Sequence, residues 1–308
     1  MTSQFTIGCD PEFFLKKRAT GKLISAIPFV RGTKDKPMPL PLGGNIQRDN
    51  VAVEVATDPA MSGESFVEYI NNTLNEAVKT LPEDTEIVAV ASASFDKEQL
   101  TDPESQEFGC DPDFCAWELR QNEKPFTEDI TFRSCGAHIH VGTTGNDENS
   151  FLLDPWKAIE VVKAMDCLHG LVSTILDSSK EAIDRRKLYG KPGSHRMKPE
   201  YGVEYRVLSN YWLKSPVTVM LMYNLTEDAL KVVRDGKLDE LVDALDEYEI
   251  RRVIIEGDST SAIKMIDNHV MGHMSAQSIH YLNEAIEKIK KDDMHFHKEW
   301  NLYKEAAK

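Results

Sequence analysis

Four short stretches of this chain alternate groups that can do chemistry with apolar residues. GCDPEFFL (8–15) spaces Asp10 and Glu12 two apart, and NVAVEVA (50–56) carries Glu54 alone. GAHIHVG (136–142) pairs His138 with His140, and GVEYR (202–206) pairs Glu204 with Arg206. In an extended strand, residues i and i+2 point the same way. The other faces then hold Ile7, Cys9 and Phe13; Val51, Val53 and Val55; Ile139 and Val141; and Val203, Tyr205 and Val207. Glu54 sits between Ala52 and Ala56, whose small side chains leave it room. Any one of these strands suits an antiparallel sheet with one wet face. Wet faces, however, usually carry Lys, Thr and Ser. These carry carboxylates, imidazoles and a guanidinium, the groups that hold hard divalent cations and phosphates. The chemistry they could do together is that of a metal–nucleotide funnel.

The His138-x-His140 pair could also grip zinc or iron. No third ligand follows at short spacing, so magnesium or manganese beside a phosphate suits it better, and a structural role for one of the two histidines stands equally open. Residues 184–206, DRRKLYGKPGSHRMKPEYGVEYR, form the one dense basic stretch. It holds Arg185, Arg186, Arg196 and Arg206 with Lys187, Lys191 and Lys198. Guanidinium forks fit phosphate oxygens bidentately. Gly190, Pro192 and Gly193 predict a mobile loop from Lys187 to Lys198 that closes over phosphates. A solvated basic loop is the plainer reading. The chain has no GxxxxGK[ST], no GxGxxG after a strand and no GxSxG, which excludes a P-loop and leaves a dinucleotide fold or serine-hydrolase elbow unsupported. GCDPEF (8–13) is echoed by GCDPDF (109–114), which places Asp111 and Asp113 together.

These residues need strands to align them and helices to back the strands. Strands are predicted at Thr6–Leu15, interrupted by Pro11, and at 50–56, 86–95, 132–141 and 203–208. KPMPLPLGGN (36–45) reads as loop. Phe66, Ile70, Leu74 and Val78 recur every four residues, so 65–81 is an amphipathic helix. Asp154-Pro155 starts a helix running to about Ser178, and Ser215-Pro216 starts another that Gly236 ends. From Leu238 to Tyr303 the chain is helical and highly charged. The expectation is an α+β fold: a ligand-binding domain over residues 1–236, and a helical C-terminal subdomain over 237–308 packed on it.

The length of 308 residues allows a sizeable core without disulfides. Apolar residues make up 41% and charged residues 28%, ordinary for a globular protein. Lys plus Arg total 36 against 51 for Asp plus Glu, a net charge of -15. That balance disfavours nucleic acid and anionic membranes as partners, though not a polyanion such as ATP held with cations. No apolar run approaches the ~18 residues of a spanning helix. The first fourteen residues lack a basic-then-apolar pattern. Five cysteines without a CxxC pair suit reduced thiols in a cytoplasm.

The order of the motifs resembles that of the carboxylate–amine ligases in the glutamine synthetase and glutamate–cysteine ligase superfamily. It is most similar to the phage-encoded carboxylate–amine ligase family, type 2, over roughly residues 5–215. The motifs are GCDPEF, DNVAVEVAT, GAHIHVG and RKLYGKPGSHRMKPEYGVEYR. The resemblance implies a glutamine synthetase-like domain with a curved antiparallel sheet and helices on its outer face. It implies ATP with Mg2+ or Mn2+, and small-molecule or peptide carboxylates and amines as substrates. An oligomer and a cytoplasmic site (the host's, if the chain is phage-encoded) go with it. Metal ligands would be Glu12, Asp10, Glu54, His138 and Glu204. His140, Arg196, Arg206 and Lys191 would hold nucleotide. Arg186, Arg196 and Arg206 would stabilise the transferred phosphoryl, and Asp113 or Asp111 would take a proton from the amine. Where larger families have Glu-x-Glu, this chain has Asp10-Pro11-Glu12, which shortens the reach of the first acid. The implied reaction is amide formation through an acyl phosphate. A guanidino-kinase-like phosphotransferase, a His/carboxylate metallohydrolase and a non-enzymatic binding protein on a ligase scaffold are the alternatives.

Overall fold

The computed structural model describes residues 5–106, 113–145 and 149–302. Its strands are β1 (Thr6–Lys17), β2 (Leu23–Ile24), β3 (Met38–Pro39), β4 (Asn45–Asp49), β5 (Ala52–Ala56), β6 (Thr85–Val88) and β7 (Ser92–Ser94). They continue with β8 (Phe114–Cys115), β9 (Arg120–Gln121), β10 (Phe132–Ser134), β11 (Ala137–Gly142), β12 (Ser194–Lys198) and β13 (Gly202–Tyr205). One antiparallel sheet runs β3-β4-β5-β1-β11-β13-β12-β8-β9, with β2 and β6 pairing the far end of β1. β7 and β10 form a separate ribbon.

β1 lies in the middle because it can hydrogen-bond on both edges. Glu12 N–H donates to the Gly136 carbonyl on the β11 side, while Ile7 N–H donates to Ala60 on the other. Even-numbered residues therefore face β11 and odd-numbered ones face away. Pro11 falls on the odd set, between the Cys9–Thr57 contact and the Phe13–Val53 pair, where its missing N–H breaks no bond to β11. The strand runs on to Lys17 without the interruption expected at Pro11.

Other boundaries also differ from expectation. The 132–141 run divides at Cys135-Gly136 between two sheets, and 86–95 divides likewise. The 36–45 segment contains the short strand β3, with Pro39 at the sheet edge, where proline is tolerated. β4 and β12 were not expected. The segment expected as a loop over 187–198 is the end of a helix, five loop residues and β12.

The helices are α1 (Gly63–Thr80), α2 (Pro155–Met165), α3 (Leu171–Leu176), α4 (Lys180–Leu188), α5 (Pro216–Arg234), α6 (Leu238–Leu245), α7 (Glu247–Glu256), α8 (Ser259–Met265), α9 (Ala276–Lys290) and α10 (Phe296–Glu299). α1 buries Phe66, Ile70, Leu74 and Val78, and Ser62 caps it. Asp154 caps α2 ahead of Pro155, and a π-helical turn at Asp166–Gly170 carries that helix into α3. Ser215 caps α5, which ends before Gly236 at φ +67°. α1 and α2 back the sheet, and α5 packs on both of them and on α9.

A single apolar core joins Phe5, Ile7 and Phe13 of the sheet to Leu282 and Trp300 near the end of the chain, so the helices after residue 237 share it. Each fully buried Phe, Leu or Ile there contributes roughly 1.5–3 kcal/mol. A smaller cluster of Phe14, Val51, Ala52, Phe95, Leu100 and Cys135 is separate from it. Cys9, Cys115, Cys135 and Cys167 are buried free thiols. Among the described residues no helix is long and apolar enough to cross a membrane.

Candidate active site on the polar sheet face

Strand register turns the i, i+2 spacings into cross-strand rungs. One rung runs Gln47–Glu54–Glu12 across β4, β5 and β1. The next pairs Asp10 with His138. A third runs His140–Glu204–Arg196 across β11, β13 and β12. The intervening rung, Cys9–Ile139–Tyr205–His195, belongs to the opposite face. Alternation thus assembles a polar surface from segments nearly two hundred residues apart.

Asp10 sits between the histidines. Its Oδ1 is 3.0 Å from His138 Nδ1 and its Oδ2 is 3.2 Å from His140 Nε2. His140 Nδ1 lies 2.6 Å from the Tyr201 hydroxyl. Glu204 meets cations on every side: Arg206 Nη1 donates to its Oε1, Lys198 Nζ is 2.9 Å from Oε2, and Arg196 Nη1 is 3.7 Å from Oε1. His138 Nδ1 is 3.6 Å from Glu204 Oε1. Asp10, His138 and Glu204 each offer one ligand atom within 4.8 Å of the others. Arg206 Nε reaches Asp113 Oδ2 at 3.4 Å, and Asn122 Nδ2 donates to Asp113 Oδ1 at 3.0 Å.

Glu12 and Glu54 are poorer in cations. Gly136 N–H donates to Glu12 Oε2 at 2.7 Å, and Gln47 Nε2 donates to Glu54 Oε2 at 2.8 Å. Burial, then the charge of Asp49, pushes the Glu12 carboxyl up to about 7. Burial and the neighbouring Asp10 and Glu12 push Glu54 well above the usual carboxylate range. Burial opposes ionisation of Glu204 too, but Arg206, His138 and His140 together outweigh it and hold that carboxyl at about 2. Asp10 is likewise buried, yet the two histidines hold it well below its usual range. Burial, followed by Arg206, lowers His138; at His140 the attraction of Asp10 overcomes burial and raises it.

The face thus has a charge-balanced half around Glu204 and an acid-crowded half around Glu12 and Glu54. The crowded half is where a divalent cation would relieve repulsion that protons otherwise relieve. Hard carboxylate oxygens with one imidazole fit Mg2+ or Mn2+ and are poorly matched to a dedicated zinc site.

Two clefts flank the acids. One has about 440 Å³ of room within about 970 Å³ of open cleft, and Asp10, Glu54, Gln47, Thr57, His140 and Tyr201 line it. The other is narrow, with about 90 Å³ of room within about 820 Å³. Glu12, Asp49, Asp113, His138, Arg185 and Arg206 line that one.

Of the residues singled out in the sequence, Asp10, Glu12, Glu54, His138, His140, Glu204, Arg206, Arg196 and Asp113 come to this face. Lys191 is exposed at a groove it shares with Asp113 and Arg206. Arg186 does not come to the face. It is buried on the helical side, where its Nη2 is 3.4 Å from the Asp177 carbonyl. Its neighbour Arg185 turns inward instead, because successive helical side chains point about 100° apart. Asp111 lies outside the described residues. Gln47, Lys198, Tyr201 and Arg185 are additional members. Of these, Arg185 and Lys198 stood in the basic stretch without an assigned role, and Gln47 had a readable signal, since Ile46 alternates with Asn45 and Gln47 in NIQRD.

An antiparallel sheet thus presents carboxylates, imidazoles and guanidiniums together beside two clefts. The model of the family described as "Phage phiEco32-like COOH.NH2 ligase-type 2" matches residues 128–302, more than half of the chain, and the chain belongs to that family. The match takes in His138, His140, Glu204 and Arg206. It extends through the C-terminal helices, where the sequence showed no motif, and begins after Asp10, Glu12 and Glu54. No curated protein matches the chain. Among solved structures, a bifunctional glutathione synthetase from Pasteurella multocida is similar at 12% identity and a TM-score of 0.42. That likeness covers 92% of this chain and 52% of the other, so the chain spans about half of that protein's length.

Proposed function

We propose that this protein joins a carboxylate to an amine at the expense of ATP, through an acyl phosphate, on a glutamine synthetase-like face. The observation that carries the reading is the set of rungs that brings Asp10, Glu12, Glu54, His138, Glu204 and Arg206 onto one side of the sheet. Membership in a carboxylate–amine ligase family supports it. Residues 1–236 would hold the reaction, and the helices after 237 would brace the sheet from behind. The setting would be a cytoplasm.

A carboxylate needs a leaving group before an amine can displace it. Its oxygen attacks the γ-phosphorus of ATP; the bond to the β-phosphate oxygen breaks, and ADP leaves. The amine nitrogen then attacks the acyl carbon, the C–O bond breaks, and inorganic phosphate leaves. Such chemistry asks a protein mainly for positioning and charge neutralisation. Glu12 and Glu54, with Asp10, His138 and Glu204, would hold Mg2+ or Mn2+, which when bound neutralises phosphate oxygens. Arg206, fixed between Glu204 and Asp113, would stabilise charge on the transferred phosphoryl, with Arg196 beside it. His140 would contact the nucleotide from the larger cleft, and Lys191, at the groove it shares with Asp113 and Arg206, would reach only the transferred phosphoryl end. Asp113 accepts hydrogen bonds from Asn122 and an ion pair from Arg206, and would receive the proton that the attacking ammonium must lose.

The test is mass spectrometry of products after incubation with ATP, Mg2+ and a library of acids and amines. The expected product has the summed mass of one acid and one amine less water, with ADP and phosphate formed in equal amounts. A phosphorylated product stable without an amine would point to a phosphotransferase. Turnover without ATP would point to a metallohydrolase. Failure to bind nucleotide would overturn the ligase reading, and with no turnover of any kind would leave a binding protein.

A further inference from the structure

Arg185 is a buried guanidinium, 2% exposed, at the wall of the narrow cleft. Among the described residues it makes two hydrogen bonds, both to main-chain carbonyls: Nη1 to Val207 at 2.9 Å and Nη2 to Arg206 at 3.4 Å. Its Nε–H has no hydrogen-bond partner among the described residues. No carboxylate among the described residues lies within ion-pair distance of it; the charge of Glu12 acts on it only from farther off. A guanidinium has five donors, and a buried one left without an anion is costly. The other arginines of the cleft are differently occupied. Arg206 is paired with Glu204 and Asp113. Arg133 donates to Asn50 Oδ1 and to the carbonyls of Ile130, Phe132 and Ser105.

The backbone is also shaped around this side chain. A methyl group at Gly136 would come within 2.7 Å of Arg185 Nη2, and one at Gly190 within 2.1 Å of Nη1. Gly190 has φ +66°, which favours glycine in any case. The two glycines keep the guanidinium in place beside the open space.

We propose that the narrow cleft is the carboxylate subsite, in which Arg185 receives the carboxylate of a small organic acid. This rests on the ligase reading and names the half of the site that takes the acid. A polyphosphate does not suit the cleft. Glu12, Asp49 and Asp113 line it as well, and they would repel a triphosphate several-fold more strongly than a single carboxylate. Its narrow room suits a planar carboxylate, while the larger cleft across Asp10 has space for a nucleotide. Asp10 and Glu54 line the larger cleft and Glu12 and His138 the narrow one, so the acids lie between the two, where a carboxylate oxygen and a terminal phosphate would meet.

The experiment is a titration of the 15N-labelled full chain, followed at the Arg side-chain Nε–Hε resonances. Arg185 is assigned by through-bond correlation in the wild-type protein, so no variant is needed for the primary result. The probes are acetate, succinate and inorganic phosphate, each with and without Mg2+ and a non-hydrolysable ATP analogue. The expected result is a saturable shift of the Arg185 resonance with acetate or succinate, retained when the analogue is present. Arg185→Lys should weaken carboxylate binding roughly ten- to hundred-fold, the worth of a hydrogen bond to a charged group. It should leave binding of the analogue, read by calorimetry, unchanged. No saturable shift, a response to phosphate alone, or displacement of the carboxylate by the analogue would overturn the proposal. If the analogue fails to bind anywhere, the ligase reading fails, and the carboxylate titration still decides the role of Arg185.

Discussion

The acid-crowded rung makes a thermodynamic signature that needs no substrate. Glu12 ionises at about 7 in the folded chain, against 4.5 for an ordinary glutamate. The folded state therefore binds this proton more tightly than the unfolded chain does. Stability contributed by that proton is complete below pH 4.5 and is lost as pH rises to about 7. Moving this ionisation from 4.5 to about 7, at about 1.36 kcal/mol per tenfold change in proton affinity, gives an upper value of ~3 kcal/mol. Glu54 on the same rung, raised by burial and by Asp10 and Glu12, and Asp166, raised from 3.8 to about 7 chiefly by burial, shift in the same direction and add slopes of the same sign. Asp10 and Glu204, with depressed values, stay ionised throughout this window and add none. Glu12→Gln keeps an oxygen to accept from Gly136 N–H and removes the titrating proton. Urea unfolding at pH 5.0 to 8.0 in EDTA should show wild-type stability falling with pH, and the fall should be smaller in Glu12→Gln. Saturating Mg2+ should flatten the Glu12 part by binding the ionised form, with its largest gain at high pH. It should leave the Asp166 part, seen in Asp166→Asn, unaltered. Equal pH slopes in wild type and Glu12→Gln, or no effect of Mg2+ on the slope, would refute this account of the rung.

Three further outcomes are expected. Arg206→Ala should cut turnover by on the order of 10²-fold or more while circular dichroism shows a folded chain; near-normal turnover would reject its part in charge stabilisation. Gly190→Ala should destabilise the protein by about 1–3 kcal/mol in urea unfolding, because the added methyl meets Arg185 and the Val207 carbonyl at a positive φ. Hydrogen exchange should show residues 189–193, between α4 and β12, becoming protected when Mg2+ and a non-hydrolysable ATP analogue bind, with 194–198 protected in both states. Equal protection of 189–193, with the analogue shown to be bound, would mean that the segment does not close over the site.

The side of the sheet on which each acid, histidine and arginine falls was readable because strand geometry has a period of two. Glu54 between two alanines, and His138 with His140 among apolar neighbours, needed only that rule. What joined them was not readable. Which rung sits beside which depends on register, and register is set by pairings between Asp10 and His138 or Glu12 and Glu54 that no local window contains. Helix phase was hidden in the same way: Arg185 and Arg186 are adjacent, and only the packing of α4 decides that the first enters the cleft. β12 was concealed by its neighbours, since Pro192, Gly193 and Pro199 frame SHRMK with turn residues. The split of 132–141 follows from Gly136, where a side chain would collide with Arg185 and His138.

The central position of β1 also sets when the site can come into being. Asp10 is made early in synthesis, but its partners His138 and Glu204 are made far later, and β1 cannot complete its β11 edge without residues 137–142. From residue 10 to 204 is 194 residues, or roughly 10–40 s at about 5–20 residues per second. β5 and β6 are made early in that interval and β11 by residue 142, but the rung partners Glu204 and Arg196 of His140 come only near its end. Long-range pairing of this kind is slow to close and closes together. Cation capture should therefore report completed folding: a chain stopped before β13 carries Asp10, Glu12, Glu54 and His138 but lacks Glu204 and Arg206, the groups that balance charge on the other half of the face.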